Sequence, residues 1–247
     1  MQQMTTMFAT ALLVSAAAVE AEQSTVVPDP APFQSIDWPE RPLEKIVAIG
    51  ESTTNGEVTS KEELRWTAQL EELLNRFQEA PVRVVNEGIG YNAISPDSKT
   101  QFDGDFNGDS ALERIDNDVL DRKPDLIIIQ YGLNDMGGLN PVHWFVGEYQ
   151  KLIDHIRSKS KAKIVLVDVA HLTAYGKDRY NVGDDSFTHQ YNLGIEELAA
   201  RNGLPLVRMH RAFNHQDGWV HPDKVHPADL GHTVMAHEIF KVIAGGK

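Results

Sequence analysis

Two short stretches of the chain hold residue types suited to nucleophilic acyl transfer. The first is Gly50-Glu51-Ser52-Thr53-Thr54-Asn55-Gly56, a hydroxyl-rich turn bounded by glycines. The second is His221-Pro222-Asp223-Lys224-Val225-His226-Pro227, near the carboxyl end. A serine hydroxyl becomes a useful nucleophile only when a base takes its proton, and the base needs a carboxylate to orient it. Asp223 and His226 lie three residues apart, so a turn brings acid and base together, and Pro227 discourages helix at His226. Ser52, His226 and Asp223 are therefore the candidate triad.

Acyl transfer also needs hydrogen-bond donors aimed at the developing oxyanion. Asn86-Glu87-Gly88-Ile89-Gly90 and Gly132-Leu133-Asn134-Asp135 each follow an apolar run. They offer the Gly88 N–H and the Asn134 amide as donors. Other chemistries compete for the same segments. A phosphate loop needs Gly-Lys-Ser/Thr, but Glu57 follows Gly56. His210, His215, His221, His226 and His232 cluster as a metal site would, yet no H-E-x-x-H spacing joins them. Asp103 to Asp109 matches the first half of a calcium loop, but Arg114 stands where the bidentate glutamate belongs. Glu113 is better used in a capping box with Ser110. Neither a metal nor an organic cofactor is required.

These segments need a frame that brings them to one edge. Lys45–Ile49, Val82–Asn86, Leu126–Gln130, Ile164–Asp168 and Leu204–Met209 read as five short, largely apolar strands. Amphipathic patterns alternate with them. Trp66, Leu70, Leu73, Leu74 and Phe77 share one helical face. Leu112, Ile115 and Val119 follow the capping box in a helix that stops near Lys123-Pro124. Phe145, Tyr149, Leu152 and Ile156 line a helix that starts near Pro141. Tyr191, Ile195, Leu198 and Ala199 line another, stopped at Arg201-Asn202-Gly203. Ala228–Ala244 is a last helix. Strands apolar on both faces, separated by helices, predict a five-stranded parallel sheet in a three-layer α/β/α fold. Such sheets place their sites at the carboxyl ends of strands, where the serine turn and the two glycine-containing segments would lie.

Composition narrows the field. The formal net charge is −13 with no basic stripe, which argues against a nucleic-acid partner. The chain has no cysteine, so disulfides, thiolate metal sites and a cysteine nucleophile are excluded. Met7–Val19 is an apolar run too short to span a bilayer, followed by a small-x-small cleavage pattern at Val19-Glu20-Ala21. It predicts a signal peptide over residues 1–21, a proline-containing leader over 22–39, and one domain over 40–247. The expected product is secreted or periplasmic, with no stable membrane insertion.

In order and spacing, Ser52, Gly88, Asn134 and His226 are similar to the four blocks of the SGNH/GDSL hydrolase superfamily. The resemblance covers nearly all of Lys45–Ala244. It implies a flavodoxin-like fold, Ser52 as nucleophile, Asp223 orienting His226, and an oxyanion hole of Ser52 N–H, Gly88 N–H and Asn134. It also implies an ester hydrolase without cofactor, acting on a small-molecule or glycan ester. Short acyl groups are favoured, because no long apolar lid is visible. A lysophospholipase or thioesterase, or a carbohydrate-binding protein without turnover, are the alternative readings. Two residues depart from the pattern: Glu51 replaces the usual aspartate, and Glu87 sits beside Gly88, where it is expected to face away from the site. The polar, aromatic stretch 170–185 is a candidate sugar-site lining.

An α/β-hydrolase, the nearest rival fold, would carry G-x-S-x-G in mid-chain with its histidine far from its acid. Here the serine follows the first strand.

Overall fold

The computed structural model describes residues 42–100, 109–170, 172, 185–213 and 216–245. The expected signal peptide and leader, residues 101–108 of the acidic loop, and most of 170–185 lie outside the described residues.

Five strands form one all-parallel sheet: β1 (Lys45–Gly50), β2 (Arg83–Gly88), β3 (Leu126–Gln130), β4 (Lys163–Val167) and β5 (Leu206–Val207). Their order is β2-β1-β3-β4-β5. The chain adds β2 on one side of β1 and everything later on the other, so the topology switches direction beside β1. A crevice opens outside the carboxyl ends at such a switch. Register decides what meets there, since Gly50 pairs with Gly88 on one side and with Gln130 on the other. The serine turn, the glycine segment and the Asn134 segment therefore start from one level.

Alternate strand residues feed two cores. Val47, Ile49, Ile127 and Ile129 point to one face, where α5 (Val142–Lys159) contributes Phe145, Tyr149 and Leu152. The helix Asp185–Asn202, α6, adds Tyr191 and Ile195 to the same core. Ile46, Ala48, Leu126 and Ile128 point to the other face. There α2 (Trp66–Phe77) and α8 (Asp229–Ala244) supply Trp66, Leu70, Met235 and Ile239. Each fully buried aliphatic side chain contributes about 1.5–3 kcal/mol, so the two cores fix the layers. The three-layer α/β/α expectation holds.

Several boundaries differ from the sequence reading. The helix after Ser110 is regular only over α3 (Ala111–Arg114) and continues as a π-helical stretch, Ile115–Val119, and a 3-10 turn, Leu120–Arg122. The change begins where Arg114 turns inward, and Lys123, in a left-handed conformation at φ 53°, ends the run. The Ser110/Glu113 capping box is present. β5 is only two residues long, because Met209 opens the short helix α7 (Met209–Phe213). Phe77 is 45% exposed and packs edge-on against Phe240 instead of entering the core.

Candidate active site

Ser52 is the first residue of a four-residue helix, α1 (Ser52–Asn55), which follows β1 after one extended residue, Glu51. Gly56 closes it in a left-handed conformation at φ 80°. Trp66 Nε1 donates to the Thr53 carbonyl at 3.2 Å, tying this turn to α2. The serine is 4% exposed.

The acid and base come from a loop that closes on itself. His221 N donates to the His226 carbonyl and Lys224 N to that of His221, both at 2.8 Å. Lys224 takes up the reversal at φ 71°. Asp223 divides its oxygens between two tasks. Oδ1 accepts from the backbone N–H of Val225 (2.9 Å) and His226 (3.0 Å), while Oδ2 meets His226 Nδ1 at 2.7 Å. Burial pushes the Asp223 carboxyl up, but the hydrogen bonds from the His226 ring and the two N–H groups outweigh it. Its pKa falls below the ordinary aspartate value. The acid therefore stays ionised. His226 Nε2 faces Ser52 Oγ at 2.9 Å. Serine, histidine and aspartate thus form one continuous hydrogen-bonded line, in the geometry a serine nucleophile requires.

The expected oxyanion donors have different surroundings. Asn134 lies in α4 (Leu133–Gly137), and its Nδ2 donates to the Asn92 carbonyl at 2.9 Å, which leaves its second amide hydrogen for another acceptor. Ser52 N–H opens the first turn of α1, where backbone donors have no intrahelical acceptor. Gly88 N–H, by contrast, donates to Asn86 Oδ1 at 2.9 Å. Asn86 also donates to the Thr54 carbonyl at 2.8 Å, so it binds β2 to α1. A Cβ on Gly88 would lie 2.1 Å from Asn55 N, which makes this glycine a point of close backbone approach. Glu87 turns aside to pair with Arg122, as expected.

Glu51 has a definite place. Its Oε1 accepts from Leu133 N at 2.8 Å and its Oε2 from Asn134 N at 3.0 Å. The carboxyl thus clamps the start of α4, and with it Asn134, to the residue before the serine. Burial pushes its pKa up to about 8, against the pull of those two N–H groups. Asp135 is likewise raised to about 7 by burial, although it accepts from Ser98 Oγ at 2.6 Å and Ile94 N at 3.3 Å.

Other residues of the site escaped the sequence reading. Arg114, 3% exposed, donates to the Gly50 carbonyl at 3.2 Å and to Tyr131 Oη at 2.7 Å. Tyr131 in turn donates to Asn92 Oδ1 at 2.7 Å. This buried network holds Asn92, whose carbonyl receives the Asn134 amide. Its one sequence signal was Tyr131, which directly follows β3. Glu57 Oε2 stands 4.0 Å from His226 Nε2. Among the clustered histidines, His226 is engaged as described, and His232 Nδ1 accepts from Trp66 N at 3.2 Å.

Comparison with known proteins places this geometry in a family. The family model described as GDSL-like lipase/acylhydrolase matches residues 48–234. An acetylxylan esterase from Geobacillus stearothermophilus is 24% identical over 68% of this chain and 74% of its own length. An acetylxylan esterase from Xylanibacter ruminicola is also 24% identical, over 85% of this chain, which spans only 45% of that relative. Among solved structures, the lipase/acylhydrolase from Enterococcus faecalis superposes with a TM-score of 0.66 at 20% identity, covering 82% of this chain and 96% of the other. The chain therefore belongs to the GDSL-like lipase/acylhydrolase family, the SGNH/GDSL hydrolases, and is a carboxylic ester hydrolase.

Proposed function

We propose that the protein is a serine esterase that removes short acyl groups, acetyl foremost, from a hydroxylated alcohol of the glycan kind. The observation that carries this reading is the line from Asp223 Oδ2 through the His226 ring to Ser52 Oγ, with links of 2.7 and 2.9 Å. In the proposed reaction, His226 Nε2 takes the Ser52 proton while Oγ attacks the ester carbonyl carbon. The carbonyl oxygen, now anionic, is held by Ser52 N–H and the second hydrogen of the Asn134 amide. The sequence pointed to Gly88 N–H as a third donor. With that N–H given to Asn86, we assign Gly88 the steric role of letting β2 approach α1.

Collapse of the tetrahedral intermediate breaks the bond to the alcohol, which leaves with the proton from His226. Water, deprotonated by the same nitrogen, then attacks the acyl-Ser52 carbonyl. The second collapse releases the acid and returns the proton to Oγ. Asp223 stabilises the imidazolium that forms in each half-reaction.

Two observations support the short-acyl, glycan reading. Both curated relatives are named acetylxylan esterases. Export, supported by the apolar run Met7–Val19, would bring the enzyme to extracellular glycans. Among the described residues no helix is long and apolar enough to cross a membrane.

The test crosses acyl chain length with alcohol type, in wild type and in Ser52→Ala. Expected are preference for acetyl over octanoyl esters, rapid fluorophosphonate labelling of wild type, and loss of both labelling and turnover in the folded variant. Preference for long acyl chains would turn the reading to a lipid acylhydrolase. A chain that neither labels nor turns over would be a binding protein on this fold.

A further inference from the structure

Glu57 is a part-buried carboxylate without a structural task. Its side chain is 34% exposed, and among the described residues no hydrogen-bond donor meets its oxygens. Its nearest charged neighbour is His226, with Oε2 4.0 Å from Nε2. That nitrogen is the one facing Ser52. The carboxylate is also accommodated by the backbone opposite, since a Cβ on Gly90 would fall 1.9 Å from Glu57 Oε1. The φ of Gly90 is not in the left-handed region, so the glycine there is explained by space. Two segments, around Glu57 and Gly90, thus leave room for an acidic group beside His226 Nε2.

The position matters because of what must arrive there. In the acyl-enzyme reading, on which this inference rests, the leaving alcohol oxygen takes its proton from His226 Nε2 and so sits within hydrogen-bond distance of it. A carboxylate 4.0 Å from the same nitrogen then lies beside the next atoms of the alcohol. In a pyranose or any 1,2-diol, the neighbouring hydroxyl is there, and its O–H would satisfy the carboxylate. An alkyl or aryl alcohol offers no such donor, and an anionic headgroup would be repelled by Glu57 in an already acidic protein.

We propose that Glu57 is a specificity-determining residue that accepts a hydrogen bond from the hydroxyl vicinal to the ester oxygen, and so selects neutral vicinal-diol monoesters. The rival role is purely electrostatic: Glu57 would steady protonated His226 for every substrate alike. Asp223, 2.7 Å from His226 Nδ1, and His232 are unchanged in the variants below.

The experiment measures kcat and KM for trans-1,2-cyclohexanediol monoacetate and for cyclohexyl acetate, which differ only in the vicinal hydroxyl. Wild type, Glu57→Gln and Glu57→Leu are compared, with thermal midpoints as the folding control and acetylated xylooligosaccharide as a third substrate. Expected is a ratio of kcat/KM, diol ester over cyclohexyl ester, that falls about tenfold in Glu57→Leu, the worth of a hydrogen bond to a charged acceptor. Glu57→Gln, which keeps an acceptor oxygen, falls between. A ratio unchanged in both variants overturns the proposal. So does a common fall on both esters with a shifted pH–rate midpoint, which assigns Glu57 to His226. The broader reading fails separately: a diol preference without cleavage of the xylooligosaccharide refutes the glycan substrate and leaves Glu57 in place. A wild type inert to both small esters refutes both.

Discussion

Alanine at Gly88 would bring a methyl to 2.1 Å from Asn55 N and to 2.6 Å from both Asn55 Cα and the Thr54 carbonyl carbon. All three atoms are backbone, and all belong to α1, the helix that begins with Ser52. None can swing away as a side chain would. Ordinary contact requires about 3.4 Å, so α1 and β2 must separate by more than about 1 Å. Asn86 resists that separation through its bond to the Thr54 carbonyl. A displacement of about 1 Å at a reacting group costs about 100-fold in rate, or about 2.7 kcal/mol in barrier. Overpacking adds a stability loss of about 1–3 kcal/mol. The assay is kcat/KM on a short activated acetate, with circular dichroism and thermal melting alongside. Gly90→Ala is the comparison, because the atom in its way is the end of the Glu57 side chain. Its loss should be at least about tenfold smaller than that of Gly88→Ala. Alanine keeps its N–H, so a glycine valued only as a donor predicts little change. Activity of Gly88→Ala within about threefold of wild type would refute the close-approach argument.

Glu51 and His232 give further tests. Each oxygen of ionised Glu51 accepts one N–H of α4, and an amide has only one acceptor, so above about pH 8 Glu51→Gln leaves a buried donor unmet. A kcat fall of about tenfold with little change in KM is expected from steady-state kinetics, and wild-type kcat would dismiss the clamp. Glu51 also has a folded pKa of about 8 against 4.5 unfolded, so its ionisation erodes wild-type stability as pH rises from 4.5 to 8. The stability gap between wild type and Glu51→Gln should narrow over that range in urea melts. His232, buried and accepting from Trp66 N, has its pKa lowered to about 4, first by burial. The unfolded chain then binds the proton more readily. Wild type loses about 3 kcal/mol relative to His232→Gln as pH falls from 6.5 to 4, and parallel stability curves would contradict this.

The blocks assigned to the chemistry were legible because each sits at a strand end or in the loop before the last helix. Apolar strands announce themselves by composition, and a parallel sheet brings their ends together. Asp223 and His226 were legible as a pair because three residues and a proline suffice to define their turn. Glu57, Asn92, Arg114 and Asp135 were not. Arg114 meets Gly50 across 64 residues, and Asp135 meets Ser98 across 37, contacts that no local pattern encodes. Arg114 was read only as a poor calcium ligand, although it is the centre of a buried network. Gly88 was read for its N–H, while its missing Cβ became visible only once register set it against α1. The π-helical stretch after Arg114 was hidden for a similar reason, since its periodicity fits an ordinary helix over so short a span.

The loop that holds Asp223 and His226 has a kinetic meaning. Acid and base are three residues apart, and the Asp223 carboxylate holds both the backbone N–H and the ring of His226, whereas the serine is 174 residues from the histidine. The first pair forms at small loop-closure cost, and the second contact comes only when the carboxyl-terminal segment docks beside the first strand. On the proposed mechanism, activity therefore reports whether that segment is docked. If Ser52, His226 and Asp223 act as proposed, an opening that carries the 221–227 loop away from Ser52 would stop turnover while most of the sheet stays intact. Loss of activity on heating should then precede loss of the far-ultraviolet signal, and the interval between them measures how independently that last segment can leave.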